Sequence, residues 1–99
     1  MSTKGLIKEK TNIKIKEPKK YKVIMHNDDF TPMDFVIYIL IDIFNKNEND
    51  AYKIMMTVHK SGKAVVAIYS YDIAKTKAQL AMDIAREEGF PFKITVEEE

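Results

Sequence analysis

The sequence predicts a small single domain of the α+β class, in which three helices cover one face of a three-stranded antiparallel sheet. Three segments carry the alternation or the β-branched residues typical of strands, and three others carry apolar residues at helical spacing. Their order along the chain is strand, helix, helix, strand, helix, strand, which fits a two-layer α+β fold. Ninety-nine residues suit one such domain, with a modest core and with shallow sites.

The first strand and the first helix lie on either side of a polar loop. Alternation over residues 21–26 predicts a strand with one well-buried face, and the Asn-Asp-Asp sequence at 27–29 ends it. Thr31 is then a suitable N-cap, and Pro32 suits the first helical position. An apolar stripe at helical spacing follows, and we expect this helix to stop near Asn45.

A second helix and a second strand follow a polar connection over residues 45–50. The helix is predicted from an apolar stripe that ends before Gly62, a residue suited to a left-handed C-terminal conformation. Residues 63–69 are rich in β-branched residues, and apolar side chains occupy both alternating sets. This pattern predicts a central strand of the sheet.

The third helix begins after Ser70, a potential cap, and stops at Gly89, which precedes Pro91. Residues 92–96 supply the last strand, and an acidic end of three glutamates follows. The helical spacing predicts an inward face made of Ile73, Ala74, Lys77, Leu80, Ala81, Ile84 and Ala85.

Charge divides the chain into two regions. Residues 1–20 carry seven lysines and two glutamates, a balance of +5, whereas residues 21–99 carry nine basic and thirteen acidic residues, a balance of −4. We therefore expect residues 1–18 to be a flexible basic extension and residues 19–99 to be the folded domain. With no apolar run long enough to span a bilayer and no signal peptide pattern, the expected location is the cytoplasm, without membrane contact.

The residues best suited to form a binding site lie in two segments. Residues 26–36 place an acidic polar loop against the start of an apolar helix, and residues 55–65 end another apolar helix in His59. Together they offer the parts of a receptor for a small cation with an apolar side chain: a carboxylate, an amide, an imidazole, methionines and valines. Ordinary structural roles are open as well, since the loop suits an Asx turn, the histidine suits a helix end and the apolar residues suit a core.

The chain resembles the ClpS family of adaptors, which hand proteins with destabilising N-terminal residues to a Clp-type AAA+ unfoldase and its protease. The likeness spans about residues 19–97 in one unbroken order. Its motifs are Tyr-Lys-Val at 21–23, Asn-Asp-Asp-Phe-Thr-Pro-Met-Asp-Phe-Val at 27–36, Val-His-x-x-Gly-Lys-Ala at 58–64 and Ala-Lys-Thr-Lys at 74–77.

The resemblance implies a function and a set of residues that perform it. The free α-amino group of a substrate would be held by Asn27, Asp28 and His59, while Asp29, Thr31 and Pro32 build the loop and the helix start. The first side chain, such as Leu, Phe, Tyr or Trp, would enter a pocket lined by Met33, Val36, Met55, Val58 and Phe92. Docking to a ClpA- or ClpC-type unfoldase would use Asp72, Thr76 and Lys77. We expect a monomeric adaptor with no catalytic residue, cofactor, metal or nucleic acid.

Two departures from the family pattern concern the site. His26 stands where an apolar residue is common, and it adds a second titrating group beside the loop. Phe92 stands where leucine is frequent, and its larger ring predicts a preference for Leu over Trp.

Three other functions are alternatives. An enzyme or metal protein would pool His26, Asp28, Asp29 and His59, although no nucleophile and base motif accompanies them. An RNA-binding or ribosome-associated protein would use the lysine-rich extension, although the body has a negative balance. A Clp-docking regulator would bind the unfoldase without reading N-terminal residues.

Overall fold

The computed structural model describes residues 17–99 and contains the predicted elements in the predicted order. They are β1 (Tyr21–His26), α1 (Met33–Asp42), α2 (Glu48–Ser61), β2 (Lys63–Tyr69), α3 (Tyr71–Glu87) and β3 (Lys93–Glu98). Both strand pairs are antiparallel. The α+β fold class with three helices and a three-stranded sheet is therefore confirmed.

The strand order is β2-β1-β3, so β1 is the central strand and β2 lies at an edge. The prediction that residues 63–69 form the central strand is wrong. A register shift opposite Val23 and Ile24 leaves Val66 as an extra residue in β2, and its side chain is buried. Val65 and Ile68 remain 48% and 44% exposed. Apolar residues occur in both alternating sets because of this irregularity and the exposed side chains, and not because β2 has neighbours on both sides.

The core lies between the sheet and the three helices. Val23 and Met25 of β1 are fully buried, and they pack in one cluster with Ile39 and Leu40 of α1. Burial of each such side chain contributes roughly 1.5–3 kcal/mol. This cluster holds α1 and α2 on the sheet, so the loop that joins β1 to α1 lies close to the end of α2.

Helix α3 packs through alanines and not through its largest side chains. Ala74, Ala78, Ala81 and Ala85 are buried, at the spacing of four and three residues that forms one helix face. Ile73 and Leu80 were predicted to face inward, but each is 49% exposed, which corrects that part of the prediction. Small side chains let the helix backbone approach the sheet closely, and larger residues are consequently left on the outer surface.

The helix starts differ from the expected positions. Pro32 is the N-cap of α1 in an extended conformation, and Thr31 is not a cap. Helix α2 begins at Glu48 because the side chain of Asn47 accepts a hydrogen bond from the backbone N–H of Asp50 at 2.8 Å. Part of the expected polar connection over residues 45–50 is therefore the first turn of α2.

Residues 17–20 lead into β1 beside the end of β3. The Lys20 carbonyl accepts a hydrogen bond from the backbone N–H of Glu99 at 2.8 Å, and the Lys19 ammonium lies 3.6 Å from the Glu98 carboxylate. Residues 1–16 of the predicted extension lie outside the described residues, so its boundary and flexibility stay predictions. Within residues 17–99, no helix is both long enough and apolar enough to cross a membrane.

Candidate functional site

A cavity of about 200 Å³ opens between the loop after β1, the start of α1 and the C-terminal half of α2. Apolar side chains from both helices lie inside, and polar side chains from the loop and the end of α2 lie at the mouth. The structure thus brings together residues that are up to 32 positions apart in the chain, since the lining extends from Asn27 to His59. The lining residues are Asn27, Asp28, Asp29, Thr31, Met33, Val36, Met55, Val58 and His59.

The mouth is fixed by a contact between the loop and the end of α2. Gly62 has a φ of 90°, a left-handed conformation, and its N–H donates to the carbonyl of Val58 at 2.9 Å. The carbonyl of Gly62 in turn accepts a hydrogen bond from the backbone N–H of Asn27 at 2.9 Å. One backbone bond therefore joins the first loop residue to the helix end that carries His59.

Asp28 is held by three hydrogen bonds from its own loop. Its Oδ1 accepts from the backbone N–H groups of Phe30 and Thr31 at 2.8 and 2.7 Å, and its Oδ2 accepts from the Thr31 hydroxyl at 2.7 Å. Partial burial by itself would raise the pKa of Asp28, but the hydrogen bonds from Thr31 and Phe30 outweigh it and lower the pKa below 3.8, its ordinary value. Asp28 is therefore a fixed carboxylate at neutral pH, and its oxygens retain lone pairs for a further donor.

The Thr31 hydroxyl has a different role from the expected one. It was predicted to cap α1, but it donates to Asp28 and so orients the carboxylate at the cavity mouth. A Thr three residues after an Asp is a sequence signal for such a turn, in which the acid accepts bonds from the following residues.

The interior of the cavity is apolar and partly open. Val36, Met55 and Val58 are buried, whereas Met33 is 44% exposed at the rim. Its unbranched thioether can change rotamer at little cost, so the opening can adapt in width. A cavity of about 150 Å³ can hold a benzene ring, and the volume present here is therefore enough for one large amino-acid side chain.

Phe92 is not among the residues that line the cavity. It is buried just before β3, and its ring lies edge-on to Phe35 with the centroids 6.0 Å apart. The ring belongs to the same buried core cluster as Met55 and Val58. The expectation that Phe92 forms a wall of the pocket stays a prediction.

Asp29 and Pro32 fall on different surfaces. Asp29 lines the mouth as a second carboxylate, whereas Pro32 lies outside the cavity and borders a separate shallow groove with Phe35, Tyr38 and Phe90. In the family reading of the sequence, both residues had only the role of building the loop and the helix start.

His26 lies outside the cavity. Its Nε2 is 2.8 Å from the Thr95 hydroxyl of the neighbouring strand, and its cross-strand partners are Lys63 and Lys93. Burial and the positive charges of Lys93 and Lys63 lower the pKa of His26 below 6.5, its ordinary value. In the described part of the chain, no three or more His, Asp or Glu side chains converge as metal ligands. His26 is therefore not part of the cavity that Asp28, Asp29 and His59 line.

The three residues expected to dock an unfoldase have unequal accessibility. Asp72 and Thr76 are exposed and lie four residues apart on α3, so they share one helix face. Lys77 is half-buried. Its ammonium donates to the carbonyl of Ile43 at the end of α1 and lies 5.7 Å from the centre of the Tyr69 ring.

Comparison with known proteins places this geometry in a family. A family model described as "ATP-dependent Clp protease adaptor protein ClpS" matches residues 16–95. The chain is 50% identical over 99 residues to the ATP-dependent Clp protease adapter protein ClpS of Acetivibrio thermocellus, and the match covers 100% of both chains. It is 52% identical over 81 residues to the ClpS of Treponema denticola, covering 82% of this chain and 80% of that one.

A solved structure has the same fold. Agrobacterium tumefaciens ClpS2 bound to L-phenylalaninamide matches with a TM-score of 0.82 and 46% sequence identity. The match covers 84% of this chain and 100% of that chain.

Proposed function

The chain belongs to the ClpS family of ATP-dependent Clp protease adaptors, and from that premise we propose that it reads the first residue of its substrates. In this proposal the adaptor binds the free α-amino group and the bulky hydrophobic side chain of an N-terminal Leu, Phe, Tyr or Trp. It then delivers the substrate to a ClpA- or ClpC-type AAA+ unfoldase for degradation.

The observation that carries the proposal is the polarity of the cavity. An α-ammonium has three N–H donors, and Asn27, Asp28 and His59 supply an amide oxygen, a fixed carboxylate and an imidazole nitrogen at one mouth. The neighbouring side chain would enter between Val36, Met55 and Val58, with Met33 at the rim. An acetylated terminus has no positive charge and fewer donors, so it would leave these acceptors unpaired.

The expected affinity follows from these two parts. Burial of a Leu or Phe side chain contributes roughly 1.5–3 kcal/mol. Hydrogen bonds to charged groups contribute about 1.5–3 kcal/mol each, and association itself costs several kcal/mol. A net value near −8 kcal/mol, a dissociation constant in the micromolar range, is the outcome we expect.

The solved relative supports the choice of ligand. Its ligand, L-phenylalaninamide, combines a free α-amino group with a benzyl side chain. The same two chemical groups match the mouth and the interior of the cavity in this chain.

We propose that docking uses the outer face of α3. Asp72 and Thr76 supply polar groups there, and Ile73 and Leu80 leave apolar surface exposed between and beyond them. Apolar side chains rimmed by polar ones are typical of protein contact surfaces. Lys77 contributes through its position at the end of α1, where it fixes α3 against that helix. The basic extension, residues 1–18, would be engaged by the unfoldase during delivery.

Peptide titration tests the proposal. Fluorescently labelled peptides that differ only in their first residue should bind when that residue is Leu, Phe, Tyr or Trp, and should fail with Ser or Glu. Acetylation of the Leu peptide should weaken binding by about ten-fold or more. Equal binding of the free and acetylated peptides would refute recognition of the α-amino group.

The same titration distinguishes the alternative of a Clp-docking regulator that does not read N-terminal residues. Such a protein would bind the unfoldase and none of the peptides. As a matched control, Asp28→Asn keeps the shape of the side chain but removes its charge, and it should abolish most of the difference between the free and acetylated peptides.

A further inference from the structure

A groove on the outside of α2 adjoins the cavity and differs from it in charge. It has a volume of about 450 Å³ and is lined by Tyr52, Lys53, Met56, Thr57, Lys60 and Ser61. The only charged side chains in this lining are those of two lysines. The ion pairs formed among residues 17–99 involve other residues, namely Lys19 with Glu98 and Arg86 with Asp83.

The groove and the cavity share one wall. Met55 and His59 line the cavity, and their chain neighbours Met56 and Lys60 line the groove. Met56 and His59 are three residues apart, so their side chains are adjacent on the helix surface. His59 therefore stands on the ridge between the two depressions, and a chain that leaves the cavity over this ridge enters the groove.

The loop and the start of α1 carry two exposed large side chains. Phe30 is 77% exposed at the tip of the loop, and Met33 projects from the start of α1. On α2, Thr57 and Ser61 line the side of the groove that lies away from His59, and both are small and polar. The Thr57 hydroxyl donates to the Lys53 carbonyl at 3.0 Å and so lies close along the helix.

We propose that this groove binds acidic residues at the second to fourth positions of the substrate. The inference rests on the proposed function, because it takes the first residue to be held in the cavity. Lys60 lies four residues after Met56, which borders the ridge, so in this proposal it faces the second position. Lys53 lies seven residues earlier, about 10 Å along the helix, which is the length of about three extended residues.

The apolar part of the groove adds to this preference. Tyr52 is half-exposed, and with Met56 it offers contact area for the stems of Glu side chains between the two ammonium groups. Asp29 at the loop rim has the opposite charge, so an acidic chain is drawn toward α2 and repelled from the loop.

The experiment compares three peptides that begin with Leu and carry Glu, Gln or Lys at positions two to four. With wild-type protein at about 0.1 M salt, we expect the Glu peptide to bind about two- to ten-fold more tightly than the Gln peptide, and the Lys peptide more weakly than either. Lys60→Gln and Lys53→Gln should each reduce the difference. In further peptides that carry a single Glu, Lys60→Gln should act mainly on a Glu at position two, and Lys53→Gln mainly on a Glu at position three or four. Lys60→Glu should invert the order.

Lys46→Gln is the matched control. It removes the same charge at the opposite end of α2, just before the N-cap Asn47, and the order of the three peptides should not change. If Lys46→Gln acts as strongly as Lys60→Gln, the effect is one of net charge and the groove is not the site.

The outcomes separate the two proposals. If the Gln peptide binds but the three peptides have equal affinity, or if the Glu peptide is the weakest, the groove proposal is overturned while N-terminal recognition stands. If no Leu-led peptide binds, N-terminal recognition fails and the groove proposal fails with it. Loss of the preference in about 1 M salt, with binding of the Gln peptide retained, would support an electrostatic cause.

Discussion

At the scale of single residues, the site depends on how Asp28 is held. Three hydrogen bonds from Phe30 and Thr31 fix the carboxylate before any ligand arrives. A preorganised acceptor binds an ammonium more tightly than a mobile one, because less side-chain freedom is lost on binding. Thr31 therefore belongs to the proposed recognition of the α-amino group, although it need not touch the ligand.

Thr31→Val should weaken binding of a Leu-led peptide by about three- to ten-fold, because one bond to the carboxylate is lost. The pKa of Asp28 should rise, and NMR titration of its carboxyl carbon would measure this. A carboxyl whose pKa is lowered by folding adds stability above its unfolded pKa and loses it as the pH falls through its folded pKa. The variant should thus lose less stability than the wild type in acid.

Thr31→Ser is the control for this prediction, since it retains the hydroxyl. It should restore both the low pKa of Asp28 and the peptide affinity. An unchanged pKa in Thr31→Val would show that the two backbone N–H groups are sufficient.

His26 leads to a prediction about pH and stability. Its pKa is lowered in the folded state, so below pH 6.5 the unfolded chain takes up a proton that the folded protein resists. The free energy of unfolding should therefore fall as the pH drops from 6.5 toward the lower folded pKa. In His26→Gln, this part of the decline should be absent while a hydrogen bond to Thr95 remains possible. Thermal unfolding between pH 7.5 and pH 5 measures the difference, and parallel curves would contradict it.

At the scale of elements, the end of α2 and the surface of α3 matter most. Gly62 ends α2, and its carbonyl accepts the hydrogen bond from Asn27 that joins the loop to the helix at the cavity mouth. Helix α3 uses alanines to approach the sheet and keeps Ile73 and Leu80 on its outer surface. At the end of α2, the glycine sets the backbone conformation that positions the cavity mouth. In α3, the alanines set the distance between helix and sheet, which leaves the larger side chains on the surface proposed for docking.

Gly62→Ala should reduce the free energy of unfolding by about 1–2 kcal/mol, because a residue with a Cβ is strained in the left-handed conformation. No atom lies within 4 Å of the added Cβ, so the cost is one of backbone strain and not of a clash. Gly89→Ala is a matched control, since Gly89 has a φ of 79° and equal space. Urea unfolding should show similar losses for both, but only Gly62→Ala should weaken peptide binding. Equal binding in both variants would contradict the role of the Gly62 carbonyl.

Substitutions at two neighbouring positions of α3 should separate stability from docking. Ala81 is fully buried, so Ala81→Leu should overpack the interface with the sheet and lower the free energy of unfolding by about 1–3 kcal/mol. Leu80→Gln changes an exposed residue and should alter stability by no more than about 0.5 kcal/mol. If α3 docks the unfoldase, Leu80→Gln should weaken that contact, as measured by surface plasmon resonance, while peptide affinity stays unchanged.

At the scale of the whole molecule, the proposed functions occupy separate surfaces. The cavity lies at the end of the sheet where β1 runs into its loop, whereas residues 17–20 enter at the start of β1, next to the end of β3. The basic extension is thus attached at the opposite end of the central strand. Binding and delivery are therefore expected to respond to different changes in the chain.

Deletion of residues 1–17 should leave the affinity for Leu-led peptides unchanged and should abolish degradation of a Leu-led fluorescent substrate by the unfoldase and its protease. An extension with the same composition in scrambled order should restore degradation if the segment acts as a flexible chain that the unfoldase engages, because such a role needs no particular structure. Equal loss of binding and degradation in the deletion would contradict a separate role.

The sequence by itself determined the order and type of the elements. Periods of two and of 3.6 residues, a left-handed glycine at 62 and the break at Gly89 and Pro91 are local signals, and the structure has an element or an end at each of them. The candidate residues Asn27, Asp28 and His59 also came from the sequence, through the resemblance of their motifs to a family that the comparisons confirm.

Only the tertiary structure decided which residues meet. It placed β2 at an edge, Phe92 in the core and His26 on another surface, and it assigned the Thr31 hydroxyl to Asp28. The first three facts depend on contacts between residues distant in sequence. The fourth depends on the loop conformation, which makes the Thr31 hydroxyl a donor to Asp28 where a helix cap would have it accept. Local periodicity reports which side of an element is apolar, but it contains no information on the neighbour against which that side packs.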